Sequence, residues 1–133
     1  GTARVRNRTA GNVVSDANGT LSIGSVEPMI IAAGLVAANG TVIGGKIRGA
    51  TVTRIDTGDY QVTFNTARSS ANYIISLSTI DCMDSAACPF DDPGIAYYDR
   101  QVTGFKVNIG DSDNGGTEKV DIDIEFTFSV IDF

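Results

Sequence analysis

Between Val120 and Val130 the chain alternates without a slip. Val120, Ile122, Ile124, Phe126, Phe128 and Val130 fall on one side, and Asp121, Asp123, Glu125, Thr127 and Ser129 fall on the other. A period of two sustained over eleven residues reads as a β-strand with one buried face, since a helix would scatter the same residues around its circumference. Burial fixes the register of such a strand, because a slip of one residue would turn six apolar side chains into water. The pattern predicts one unbroken strand over 120–130, lying inside a sheet.

Other segments repeat the pattern. Tyr60, Val62 and Phe64 alternate with Gln61, Thr63 and Asn65, and Asp56-Thr-Gly-Asp59 links them to Thr51-Val-Thr-Arg-Ile55 as a β-hairpin. Tyr73–Thr79 is rich in β-branched residues, and its mixed pattern predicts a strand covered on both faces for part of its length. Phe105, Val107 and Ile109 form a further alternating run, joined to the last strand by the turn-rich stretch Gly110–Thr117. Asn39-Gly40, set between Leu35–Ala38 and Thr41–Ile43, predicts a hairpin closed by a type I′ turn with both central residues at positive φ. Residues 1–28, with Val13, Val14, Leu21, Ile23 and Val26 among polar residues and glycines, are too thinly apolar to bury themselves without a partner.

Length and charge narrow the function classes. A chain of 133 residues is one ordinary domain with room for a real core, and no apolar run approaches the roughly 18 residues of a membrane-spanning helix. Residues 1–54 carry six basic groups against two acidic ones, a net of +4. Residues 55–133 carry four against fourteen, a net of −10. Phosphate contacts need a positive surface, so nucleic acid is not the expected partner of the main domain, and Arg4, Arg6 and Arg8 read as a solvated arm or pairing strand. Cys82 and Cys88 fit neither a zinc half-site nor a redox motif. A disulfide between them would close a seven-residue loop, stabilise the fold by roughly 2 kcal/mol and imply an oxidising, extracellular setting.

With no histidine, Ser-His-Asp and Cys-His catalysis are excluded, leaving paired carboxylates. Asp121, Asp123 and Glu125 stand at spacings of ~7 Å, where repulsion in water is only about 0.6 kcal/mol, so a solvated face or pairing with a basic strand is the expected role. Glycosidase chemistry also wants aromatic sugar platforms, and the chain has no tryptophan. Asp111, Asp113 and Gly115 imitate the opening of a calcium loop. The twelfth position, where such a loop needs glutamate, is Ile122, so the stretch reads as a turn and no metal or cofactor is expected. The segment Ile80–Arg100 breaks the strand rhythm and reads as an elaborated loop, braced by the disulfide and by Pro89 and Pro93. Its exposed-looking Phe90, with Asp91, Asp92, Tyr97 and Tyr98, forms the candidate binding set, one of the two tyrosines being expected in the core.

The order of these segments resembles a known family. A glycine-rich hairpin is followed by Thr53-Arg-Ile-Asp-Thr-Gly-Asp-Tyr-Gln-Val-Thr-Phe64, Ala71-Asn-Tyr-Ile-Ile75, Thr103-Gly-Phe-Lys-Val107 and a terminal Phe126-Thr-Phe-Ser-Val-Ile-Asp-Phe133. Over residues 34 to 133 this resembles the C-terminal receptor-binding domains of bacteriophage tail fibres, with the 80–100 loop least matched. The resemblance implies an antiparallel, jelly-roll-like β-sandwich over 29–133, with 1–28 as the end of an extended fibre shaft. It further implies a parallel homotrimer at the fibre tip, a location on the virion outside the cell, and non-enzymatic attachment to a host-surface polysaccharide, lipopolysaccharide or protein without membrane insertion. A secreted sugar-binding or calcium-dependent sandwich module and a purely structural trimerisation cap are the alternative readings.

Overall fold

The computed structural model describes residues 29–83, 85–88, 90, 93–111 and 120–133; the expected shaft segment 1–28 lies outside them. Among the described residues the elements are all strands: β1 (Met29–Val36), β2 (Val42–Arg48), β3 (Ala50–Asp56), β4 (Asp59–Phe64), β5 (Ile74–Thr79), β6 (Gly94–Gln101), β7 (Gly104–Asp111), β8 (Val120–Asp121) and β9 (Phe126–Asp132). They form two antiparallel sheets, β2-β1-β9-β5 and β3-β4-β7-β6, with β8 added beside β7. This is the expected β-sandwich. Its core is the inward half of each alternating run: Tyr60, Val62 and Phe64 on β4, Phe105, Val107 and Ile109 on β7, and Phe126, Phe128 and Val130 on β9. Aromatic rings join the layers, with Phe105 meeting Phe128 at 6.1 Å and Tyr60 meeting Phe126 at 4.8 Å between centroids.

The run from Val120 to Val130 is not one strand. Val120 and Asp121 pair with Asp111 and Gly110 in the second sheet, whereas Phe126 onwards pairs with both β1 and β5 in the first. Residues 122–125 cross between the layers, and Ile122 and Ile124, 4% and 2% exposed, bury their side chains on the way. The alternation survives the crossing because both sheets face one core. A buried face therefore produces a period of two even where no ladder is formed.

Two other expectations change. β5 lies at a sheet edge with Ile74 half exposed, so it is not covered on both faces. The Asn39-Gly40 hairpin forms, but only Gly40 has a positive φ, of 91°. A β-turn over Ala37–Gly40, closed by a hydrogen bond from the Gly40 amide to the Ala37 carbonyl at 2.8 Å, replaces the two-residue type I′ turn. Asn39 Oδ1 accepts from the Thr41 hydroxyl at 2.7 Å, satisfying the side chain inside a wider loop. Gly34 is required for packing. A Cβ there would lie 2.6 Å from Phe128 Cε1 and 2.7 Å from Ile47 Cδ1, so these side chains close over bare backbone.

Strand register separates the two ends of the sandwich. Met29 aligns with Asp132, and Ile74 with Ile131, at the end where residue 29 enters; Val36 and Thr79 both align with Phe126 at the opposite, distal end. The turn at 37–41 and the segment 80–93 therefore leave from the distal end. The 57–58 turn is there too, since Tyr60 Oη donates to the Ala38 carbonyl at 2.6 Å.

Because Ile124 is buried in the crossing, Ile124→Ala is expected to cost roughly 2 to 5 kcal/mol, read from urea denaturation. An unchanged midpoint would contradict the burial of the crossing segment.

Candidate functional site

The binding set proposed from sequence is divided by the fold. The stretch 94–101, expected as loop, is strand β6, which shortens the segment between strands to 80–93. Tyr97 aligns with the core residue Val107 and Tyr98 with the outward Lys106, so the two rings project to opposite faces of the sheet. Neither is in the core, at 43% and 42% exposure, because β6 is an edge strand and covers neither side fully. Phe90 is not an exposed anchor: it is half-buried and packs on the core, as expected of the largest apolar side chain in a short connection between layers. Asp91 and Asp92 lie outside the described residues, as does Asp113 of the calcium-like stretch; Asp111 ends β7. No group of three acidic or cysteine side chains placed to hold a metal occurs among the described residues.

Cys82 and Cys88 are joined by a disulfide, their Cα atoms 5.5 Å apart. Inside the ring Ser85 pairs with Cys88 as an isolated bridge, and the Ser85 hydroxyl accepts from the Cys88 amide at 3.2 Å. The Asp81 carboxylate accepts from the Met83 amide at 2.8 Å, satisfying a donor where Met83 adopts a positive φ of 54°. Both sulfurs' residues are half-buried against the core, so the ring is anchored as well as closed.

On the outer face around Tyr98 polar groups are arranged in fixed pairs. Asp59 Oδ1 accepts from the Tyr98 hydroxyl at 3.3 Å and from Asn108 Nδ2 at 2.9 Å, and the same amide reaches Asp121 Oδ1 at 3.1 Å. Lys106 Nζ lies 2.9 Å from Asp99 Oδ2 and 5.9 Å from the centre of the Tyr98 ring. Gln101 Nε2 donates to the other oxygen of Asp99 at 2.7 Å, and the Gln101 and Lys106 contacts hold the Asp99 carboxyl below its ordinary pKa. Tyr97 belongs to a different cluster: the Arg100 guanidinium lies 5.8 Å from its ring centre and 5.9 Å from that of Tyr73.

Asp123 is the most connected carboxylate of the acidic run. Arg54 Nε lies 2.9 Å from its Oδ2, while its Oδ1 accepts from the Gly58 amide at 2.8 Å and lies 3.4 Å from the Tyr60 hydroxyl. Burial by itself would raise its pKa, but the hydrogen bonds from Arg54 and Gly58 prevail and hold it below the ordinary value. Burial, followed by the charge of Asp123, pushes the Tyr60 hydroxyl up to about 12. Asp123 therefore pins the layer-crossing segment to the 57–58 turn. The Arg54–Asp123 pairing was one of the roles open to this carboxylate in the sequence, but nothing there named Arg54, because 69 residues separate the partners.

The fold defines the class: a two-sheet antiparallel β-sandwich with polar, paired outer residues on one sheet and a disulfide-closed segment at its distal end. Comparison with protein-family models, with curated proteins and with solved structures finds no match to this chain. Among the described residues no helix is long and apolar enough to cross a membrane.

Two predictions arise here. A carboxyl whose pKa is depressed by folding contributes stability that is complete above its unfolded value, about 3.9, and is lost as pH falls through the lower folded value. Asp123→Asn should therefore lower the urea midpoint at neutral pH, by about 1 kcal/mol for a side chain 33% exposed, and flatten the acid limb of stability against pH. A variant matching the parent at all pH values would remove Asp123 from its pinning role. Reduction of Cys82–Cys88 should cost roughly 2 kcal/mol and raise hydrogen exchange within 80–93 while the amides of β7 and β9 stay protected.

Proposed function

We propose that the domain is a non-enzymatic attachment module at the distal tip of a trimeric bacteriophage tail fibre, binding a host-surface polysaccharide, lipopolysaccharide or protein. The observation that carries this reading is the placement of chain entry and elaborated segment at opposite ends. Residues 1–28 join the sandwich at Met29, beside Asp132, while the disulfide-closed segment 80–93 departs from the end marked by Thr79 and Phe126. A module mounted through its N-terminal segment then presents 80–93 outward. Phe90 acts as the internal anchor of that segment, Asp91 and Asp92 follow it, and Tyr98, hydrogen-bonded to Asp59 beside the distal 57–58 turn, extends the surface.

Trimer formation has support of a different kind. Ile30, Ile131 and Ile74 align side by side on the outer face of β1, β9 and β5, at the end where Met29 enters. Ile30 and Ile74 are 53% and 51% exposed. An apolar row across three strands is costly to leave in water, and a neighbouring copy held alongside by its own N-terminal segment would cover it. Three copies would also multiply weak single-site contacts through effective concentration.

Light scattering is expected to give a mass near three times 13.9 kDa, and Ile74→Asp with Ile131→Asp should shift it towards one. Labelled protein should adsorb to a susceptible bacterium and leave its surface polymer chemically unchanged. Folded Tyr98→Ala and Asp91→Asn/Asp92→Asn variants should adsorb more weakly. A monomeric parent would refute the fibre reading, and a parent that adsorbs to no candidate host would leave the structural cap.

A further inference from the structure

The two sheets differ in the sign of their charge: the strands of one carry five acidic and three basic side chains, those of the other one acidic and two basic. The strands β3, β4, β6, β7 and β8 carry Asp56, Asp59, Asp99, Asp111 and Asp121. In β1, β2, β5 and β9 the single acid is Asp132, whose carboxylate is held by Arg68 at 2.8 Å with its side chain 16% exposed. The basic groups differ in their partners. Arg54, Arg68 and Lys106 are in ion pairs and Arg100 lies over two aromatic rings, whereas Lys46 and Arg48, both exposed on β2, have neither kind of partner among the described residues.

Lys46 and Arg48 are alternate residues of one strand, so they project to the same side at a separation of roughly 7 Å. Arg48 aligns with Ala33, which places that side on the outer face. Both border a depression of ≈ 380 Å³, where Ala33 and Leu35 face outward beside them while the other apolar lining residues, Ile47 and Phe128, are turned towards the core. The depression exists because β2 departs from regular pairing here: Val36 aligns with Val42 but Gly34 with Ile47, and Gly44 and Gly45 take φ of 61° and 70° to carry the extra residues outward. Beyond the Arg48–Ala33 pair the same row continues to Ser129 and Ser76, next to the Ile30–Ile131–Ile74 row assigned to a neighbouring copy, so the site is confined to β2 and the adjoining side of β1.

We infer that the depression between β1 and the bulged β2 is a binding site for an acidic polysaccharide, with Lys46 and Arg48 receiving carboxylates on successive sugar rings. The outward Ala33 and Leu35 side chains offer an apolar strip for the C–H face of a pyranose ring. Two cations with no ion-pair partner among the described residues, at strand-repeat spacing, suit a polymer with one carboxylate per ring. A nucleic acid fits less well, because the apolar Ala33 and Leu35 beside the two cations suit a sugar ring and not a phosphodiester backbone. The inference rests on the attachment reading for its biological meaning, and on the geometry of β1 and β2 for its chemistry.

The test uses the full chain and oligogalacturonate as the acidic probe, with neutral dextran of similar length and single-stranded DNA as comparisons. Calorimetry should show binding to oligogalacturonate, none to dextran and weaker binding to DNA. Lys46→Gln with Arg48→Gln, folded by circular dichroism, should weaken binding about tenfold or more, the equivalent of one charge-assisted contact. Lys106→Gln, on the opposite sheet, should leave it unchanged. Equal binding of dextran, an unaffected double variant, or DNA bound as tightly as oligogalacturonate would overturn the site. The attachment reading is scored separately by adsorption to bacteria. Cells bound equally by parent and double variant would overturn this site as their receptor contact while leaving attachment intact; a parent that binds oligogalacturonate but no cell would sustain the site and sink the attachment reading.

Discussion

The structure depends on one segment that belongs to neither sheet. Residues 122–125 leave the β7 side and arrive at β9, and Ile122 and Ile124 fill the core while doing so. Apolar burial alone would hold such a crossing loosely, because it has no ladder to fix its direction. Asp123 supplies that direction through Arg54, the Gly58 amide and the Tyr60 hydroxyl. The carboxylate thus joins the hairpin of the second sheet to the strand that becomes the centre of the first, with β9 lying between β1 and β5. Apolar and polar faces of one short stretch perform different tasks, one setting depth and the other position.

The periodicity revealed which side chains are buried more reliably than which strands they pair with. Phe105, Val107, Ile109, Tyr60 and Val62 all occupy the core that their alternation predicted. The same rule joined Val120 to Val130 into one strand, because burial on a shared core has the same period whichever sheet supplies the backbone partner. Asn39-Gly40 correctly marked a hairpin but misjudged its turn, since Ala37 and Thr41 also enter the loop and the Asn39 side chain is satisfied there. The segment 80–100 concealed β6 because Tyr97 and Tyr98, adjacent aromatics on opposite faces of an edge strand, do not alternate in polarity.

The candidate site was less legible, for a related reason. Residues adjacent in sequence are divided between faces in a strand, so grouping Phe90, Tyr97 and Tyr98 by proximity along the chain collected one core contact, one side chain at the sheet margin and one outward ring. The partners that define surface chemistry are remote: Asp59 with Asn108, Asp99 with Lys106. Lys46 and Arg48 were visible only as part of a positive N-terminal half. Their distinction is that neither has an ion-pair partner among the described residues, and that is a property of the assembled sheet.

The disposition of the turns has a consequence for sequence change. The segments at 37–41, 57–58 and 80–93 gather at the end away from Met29, and the strands between them are locked by shared burial and by the register of β9. Apart from Cys82, Cys88 and Phe90, which pack on the core, the described residues of 80–93 carry none of its side chains, and the entropic cost of extra loop residues grows only with the logarithm of length. The sandwich is thus a chassis whose connecting segment can be varied around those three fixed side chains without redesigning the rest. The disulfide provides a natural boundary for such cassettes, since residues inserted between Cys88 and Gly94 fall outside its ring.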